Sequence, residues 1–235
     1  MPEALTPADL AALAEFDTPT ICNALELVAP DRRARGFNRR PLVCPFPDLK
    51  PIVGYARTAT IRSREVHPRS REEARALRAA YYELIARTPA PSISVLQDVD
   101  GPDFGFGAFW GEVQTNIHKG LGCLGVITDG SVRDIDMMAP GFQVLAGSIM
   151  PSHAHVALVD IGGTVSIHGM IVSTDDVVHA DRHGAVVVPH DVVKKVPAAC
   201  ELLARREKVI LDACKAPGFN VEMLKKAMAG ADEIH

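Results

Sequence analysis

The sequence predicts an α/β fold of layered sheets and helices in one domain, 1–235, with a C-terminal helical tail over about 190–235. Three observations predict it. Helix-like and strand-like segments alternate through the first half, as layered α/β folds require. A run of short β segments, divided by Gly and Asp turns, then continues to residue 189. The chain finishes on two helical stretches, and no repeat, low-complexity tract or linker interrupts it. This order does not read as a clean doubly wound sheet.

The elements follow in order. Thr6-Pro7-Ala8-Asp9 opens a helix over 7–15: Thr6 can cap it, Pro7 suits its first position, and Asp9 favours its positive end. TPTICNALELV, 18–28, reads as a second helix begun at Thr18. Residues 29–50, rich in proline and charge, read as a long loop. IVGYARTATIR, 52–62, is a β-branched strand. Over 69–87, Ala74, Leu77, Ala80, Tyr81 and Leu84 fall at helical spacing, and SISVLQDVD, 92–100, reads as a buried strand. GPDFGFGAFWGE, 101–112, carries four glycines and four aromatics, too much glycine for a strand interior and too apolar for an ordinary loop. A short helix, 112–119, closes on Gly120, and strand 122–128 follows. After DGSVRD, residues 134–139 form a helical turn ended by Pro140-Gly141. FQVLAG, HVALVDIG, TVSIHG, MIVS, DVVHAD and GAVVVP supply the short strands. Helices over about 190–215 and 219–229 complete the chain, with Pro197 either kinking the first or marking its true start.

Composition narrows the function. Hydrophobic residues make up 47%, charged residues 23%, and the net charge is −4. No basic stripe offers itself to nucleic acid, and the densest cationic stretch, DRRARGFNRR at 31–40, reads as a solvated loop pairing with acidic neighbours. Five cysteines at wide spacing, 22, 44, 123, 200 and 214, read as reduced and mostly buried thiols. MPEALTPADLAAL lacks the pattern of a signal peptide, and no apolar run approaches the roughly 20 residues that span a bilayer. The expectation is a cytoplasmic protein with neither a membrane nor a nucleic-acid partner.

Two strand ends lie close in sequence, at 98–100 and at Thr128, and ligands in α/β folds gather beyond such ends. If these strands pair in parallel, their loops emerge together. The start of helix 112–119 then offers free N–H groups and a positive dipole end, with Gly111 allowing close approach of an anion. DGSVRD, 129–134, projects Arg133, suited to a planar carboxylate, and Asp129 and Asp134, which with Glu112 are oxygen ligands fit for Mg²⁺ or Mn²⁺. Such a seat suits a substrate with adjacent carboxylate and keto oxygens. The plain alternative is a polar Asp-Gly turn with a surface ion pair.

WGE, 110–112, followed by GCLGVITDGSVRD, with Glu112 and Arg133 21 residues apart, resembles the family of regulator of ribonuclease activity A and the class II 4-hydroxy-4-methyl-2-oxoglutarate aldolases. FDTPTICNALE (16–26), IVGYARTATIR and DVVHADRHGAVVVP (176–189) agree with it in order, so the resemblance covers about 16–215. It implies a layered β/β/α sandwich of the RraA-like, swivelling-domain type, assembled as homotrimeric rings or hexameric pairs of rings with the site at the subunit interface. It further implies that Arg133 binds the pyruvate-end carboxylate, that Asp134 holds the divalent metal, and that the amides of Val113 and Gln114 after the Gly111 turn hold the same carboxylate. Glu112, where the family usually has Asp, would support metal-bound water. A glutamate from a neighbouring subunit's C-terminal helix completes the aldolase site; Glu207 is the candidate, with Glu201 as fallback. The branch that inhibits ribonuclease E replaces the Asp after the Arg, and this chain keeps it.

The function implied is a metal-dependent lyase that cleaves a 4-hydroxy-2-oxo acid to pyruvate, with oxaloacetate decarboxylation alongside. The rivals are a non-catalytic regulator that binds a partner through its ring surface, and another metal-dependent enzyme on the same seat. SHAHVALVDIGG (152–163) and the bulky FGFGAFWG loop depart from the family pattern, which points to a different acceptor-side substrate. Other residues read more plainly. His153 and His155 share a strand face and serve polar packing or substrate contact. His179 and His183 lie on a turn, not a zinc helix. Cys123 stays neutral inside an apolar strand, and Ser131 lacks a base partner.

Overall fold

A computed structural model describes residues 5–235; residues 1–4, the start of the stretch read for a signal peptide, lie outside the described residues. Helices α1 (Pro7–Leu13) and α2 (Thr18–Val28) lead to strand β1 (Ile52–Arg62), helix α3 (Arg71–Ala86), β2 (Ser92–Asp98) and β3 (Ala108–Trp110). Helix α4 (Glu112–Gly120), β4 (Cys123–Thr128), β5 (Ser131–Val132), β6 (Gln143–Leu145) and β7 (Ser148–Ile149) come next. The β-rich part continues with β8 (Ala157–Ile161), β9 (Val165–Ile167), β10 (Met170–Val172), β11 (Val177–Asp181) and β12 (Gly184–Val188), before α5 (Val196–Cys214) and α6 (Val221–Asp232).

Strand β1 is the spine. A seven-stranded mixed sheet runs β12-β11-β1-β2-β4-β6, and β8 joins the far half of β1 where β11 leaves it. Strands β1, β2, β4 and β6 are parallel, so the loops after β2 and β4 emerge at one edge, as the sequence requires for a shared site. Strand periodicity divides β1 between two layers. Val53, Tyr55, Ala59 and Ile61 face the helices, the first pair meeting α1, α2 and α5 and the second meeting α3 and the Phe109–Trp110 corner. Ile52 and Ala56 face the opposite layer, closed by the β9–β10 hairpin through Val165, Ile167, Met170 and Val172. Helices, sheet and hairpin thus give the layered α/β sandwich that the sequence predicts.

Local chemistry fixes the ends of the elements. Thr6 and Asp9 form a reciprocal capping box on α1, and Ser70 and Glu73 form one on α3. Asp17 caps α2 through the Thr20 amide at 2.9 Å, so the helix starts at Thr18 as read. Pro197 marks the true start of α5, since a single 3₁₀ turn over 193–195 precedes it. Helix α4 includes Gly120 instead of closing before it, and Gly122, at φ +83°, makes the turn into β4. The tail packs onto α2 through Val196, Ala199 and Cys200.

One buried charge escapes any reading by pattern. Arg57, fully buried on β1, pairs with Asp175 and donates to the carbonyls of Arg87 and Pro89, tying the segments around β2 and β11 to the sheet. Leaving such a guanidinium unpaired would cost several kcal/mol, about 3–5 when one partner is removed. Among the described residues no helix is long and apolar enough to cross a membrane.

Candidate functional site

The site is built where two short structures meet. Strands β3, β5 and β7 form a separate parallel sheet of two- and three-residue strands, and the Arg133 amide donates to the Trp110 carbonyl at 2.9 Å. That pairing sets DGSVRD directly beside the turn that opens α4. Trp110, fully buried, anchors the corner by packing on Phe142 and on His118 of α4, whose ring lies 4.5 Å away between centroids. His118 also meets Tyr81 and Tyr82. Its Nδ1–H donates to the Gln114 carbonyl at 2.7 Å, and burial pushes its pKa down to about 4, so the ring is neutral packing material. The first turn of α4 is tied down as well, because Thr115 Oγ1 donates to the Gly111 carbonyl at 2.9 Å and accepts from the Ala139 amide at 3.1 Å.

Gly111 stands at the N-cap position without a side chain to satisfy the helix amides. Asp134 reaches across to do so, accepting from the Glu112 amide at 3.4 Å. A Cβ on Gly111 would fall 2.5 Å from Asp134 Oδ2 and 3.3 Å from Arg133 Cγ, so a larger residue here pushes the Asp134 carboxylate aside. Asp134 holds φ +55°, a left-handed conformation that aims its carboxylate back at the helix. Arg133 Nε lies 3.6 Å from Asp134 Oδ2, and both side chains remain more than a third exposed. The next amides, of Val113 and Gln114, have no carbonyl to meet within the helix and add to its positive end. A pocket of about 150 Å³ gathers Gly111, Glu112, Val113, Gln114, Arg133 and Asp134.

The structure therefore brings together six of the residues that the sequence singled out. It also adds Arg78 of α3, and it sets His153, which the sequence offers for polar packing or substrate contact, in the same pocket. Arg78 was within reach of pattern, since helical spacing sets it on one face with Ala74 and Arg71. Glu207 and Glu201 lie exposed on α5 and do not line this pocket within one chain. The donor set suits a hydrated Mg²⁺ or Mn²⁺, which takes one or two carboxylates and keeps several waters; Asp134 and Glu112 are the two available. It does not suit a zinc site of three or more ligands, because no such cluster of His, Cys, Asp or Glu occurs among the described residues.

The two ends of DGSVRD look to different sides. Asp129 Oδ1 accepts from the Asp98 amide at 2.7 Å, binding the end of β2 to that of β4, and lines a separate pocket with Arg39, Arg40 and His168. Burial, with Asp98 close by, pushes its carboxyl up to about 7. His179 is buried on β11 between Thr18 Oγ1 and the Phe16 carbonyl, and His183 turns onto Asp181 across the β11–β12 hairpin. Burial pushes the Cys123 thiol up to about 11, which keeps it neutral. In the cationic loop, Arg35 pairs with Asp31 and Arg33 with Glu26.

Residues 18–187 match the family model described as RraA-like, Aldolase/RraA. An uncharacterized protein of Methanocaldococcus jannaschii is 30% identical over 105 residues, covering 44% of this chain and 50% of that protein, so the chain spans about half the length of the curated relative it matches. An uncharacterized protein from Pseudomonas syringae pv. tomato str. DC3000 superposes with a TM-score of 0.71 at 20% identity, covering 98% of this chain and 97% of that one. An unusual member of the RNase ES inhibitor RraA protein family from Streptomyces coelicolor superposes with a TM-score of 0.68 at 20% identity, covering 88% and 96%. These two structural likenesses show the fold.

Proposed function

The chain belongs to the Aldolase/RraA family, and from that premise we propose that it is a divalent-metal-dependent lyase releasing pyruvate from a 4-hydroxy-2-oxo acid, with oxaloacetate decarboxylation alongside. The family holds both aldolases and ribonuclease inhibitors. The observation that carries the enzyme reading is the Arg133–Asp134 pair, set in a pocket at the N-terminus of α4.

Arg133 presents its fork to the substrate carboxylate, and the amides of Val113 and Gln114 donate to the same group with the helix dipole behind them. Held by Asp134, with Glu112 beside it, Mg²⁺ or Mn²⁺ would supply Lewis-acid stabilisation of the charge that grows on the 2-oxo group. A water oriented by Glu112 takes the proton of the C4 hydroxyl as the C3–C4 bond breaks. C4 becomes a carbonyl, the electron pair on C3 delocalises into the 2-oxo group, and C3 is then protonated by water to give pyruvate. Oxaloacetate loses CO₂ by the same electron flow without needing the hydroxyl base. A ring of subunits, trimeric or hexameric, would bring Glu207 from a neighbouring copy's α5 to the mouth of the pocket, with Glu201 as the alternative. Five free cysteines agree with a reducing compartment, and we place the protein in the cytoplasm.

Pyruvate release from oxaloacetate and from 4-hydroxy-2-oxo diacids, followed with Mg²⁺ and with EDTA, tests this function. Release should require the metal. No pyruvate from any substrate at saturating metal sinks the lyase, and metal-independent binding to a ribonuclease would point to the regulator instead. Gly111→Ala should lower turnover by about 10- to 100-fold by displacing Asp134, the size of effect expected when the support of a metal ligand moves. Its circular dichroism spectrum should match that of the parent; a lost fold would show that the glycine matters for folding and not for the pocket.

A further inference from the structure

Beyond the keto-acid pocket, the wall formed by α3 continues. Arg78, His153 and Val156 line both that pocket and a second one of about 320 Å³. Arg71, Ala74 and Arg78 recur at i, i+3 and i+7, so α3 turns one face toward it. At a rise of about 1.5 Å per residue, Arg71 stands roughly 10 Å farther along the helix than Arg78. Val156, Ala157 and Leu158 supply apolar surface between them, and His155 joins the basic rim. Arg69 spends its guanidinium on the Leu158 and Val159 carbonyls at 2.8 and 2.7 Å, which fixes that wall. Arg71 and Arg78 have no side-chain hydrogen bond or ion pair among the described residues, and neither Asp nor Glu lines this second pocket.

Unpaired guanidiniums over an apolar floor, with no carboxylate to neutralise them, form a seat for an acid on a hydrocarbon stem. Resting on the keto-acid reading above, we propose that the acceptor fragment is an extended anion, bearing a carboxylate or phosphate several bonds beyond C4 that Arg71 and His155 hold. His153 and His155 belong to the segment that departs from the family pattern, which accords with an acceptor side peculiar to this chain.

Calorimetric titration of the full chain, with Mg²⁺ present, tests the proposal. The ligands are pyruvate and a ladder of longer 2-oxo acids ending in carboxylate, phosphate or methyl. Around six to eight carbons, the anionic ends should bind about tenfold more tightly than the methyl end of equal length, and the anion that gains more identifies the group. Arg71→Ala should erase that gain, whereas Lys226→Ala, removing the same charge from exposed α6, should keep it. Equal binding of anionic and methyl ends, or a gain that survives Arg71→Ala, overturns the subsite while leaving the keto-acid seat standing. Failure of pyruvate itself to bind overturns that seat, and the subsite with it.

Discussion

Arg133→Ala is expected to lower kcat/KM for pyruvate release by about 10²- to 10³-fold, the loss typical of removing one donor aimed at a charged reacting group. The fold should hardly notice. Arg133 is more than a third exposed, and its charged neighbour Asp134 stands at 3.6 Å, a pair whose contribution to stability is about 0–1 kcal/mol. Its place in the β3–β5 pairing is held by the backbone amide, which alanine keeps. Arg133→Lys retains the charge and loses the fork, so it should recover only part of the rate. The check is a coupled pyruvate assay beside thermal melting of the same preparations. A melting temperature that falls in step with activity would make Arg133 a structural residue.

The second large effect is one of stability, at the other end of DGSVRD. Asp129 titrates at about 7 in the fold and, once unfolded, near the ordinary 3.8. Between those values the folded chain keeps a proton that the unfolded chain has released, so stability falls as pH rises through the window. By pH 8 the loss approaches about 4 kcal/mol from this group. Burial pushes Asp98 in the same direction. Asp129→Asn keeps an oxygen for the Asp98 amide and removes the titration. Its stability relative to the parent should therefore climb by several kcal/mol from pH 4 to pH 8 in urea unfolding curves. Parallel curves for the two proteins across that range would refute the assignment.

Periodicity made the long elements legible. The β-branched alternation of 52–62 and the apolar face of α3 are local properties, and β1 and α3 appear where the pattern sets them. The short parallel sheet β3-β5-β7 was not legible, because strands of two or three residues carry no period of their own. Its pairing depends on chain brought together from distant positions. For the same reason DGSVRD, read as a turn, contains a strand at Ser131–Val132. Arg57 gives no signal either, since nothing in IVGYARTATIR distinguishes a buried arginine from an exposed one. In the pocket, Gly111, Glu112, Arg133 and Asp134 were legible because neighbouring strand ends converge, whereas spacing gives the helical face of Arg78 but nothing local says which neighbour that face meets. Glu207 has no place in a pocket formed by a single chain.

The left-handed backbone at Asp134 carries a consequence for descent. A non-glycine residue there costs about 1–2 kcal/mol, which glycine would return at once. Against that gain, glycine would forfeit the oxygen that meets the Glu112 amide at the start of α4, so folding alone offers no free drift at this position. Position 134 is thus a place where the fold and the proposed chemistry ask for the same side chain, and descent can change it only by giving up both.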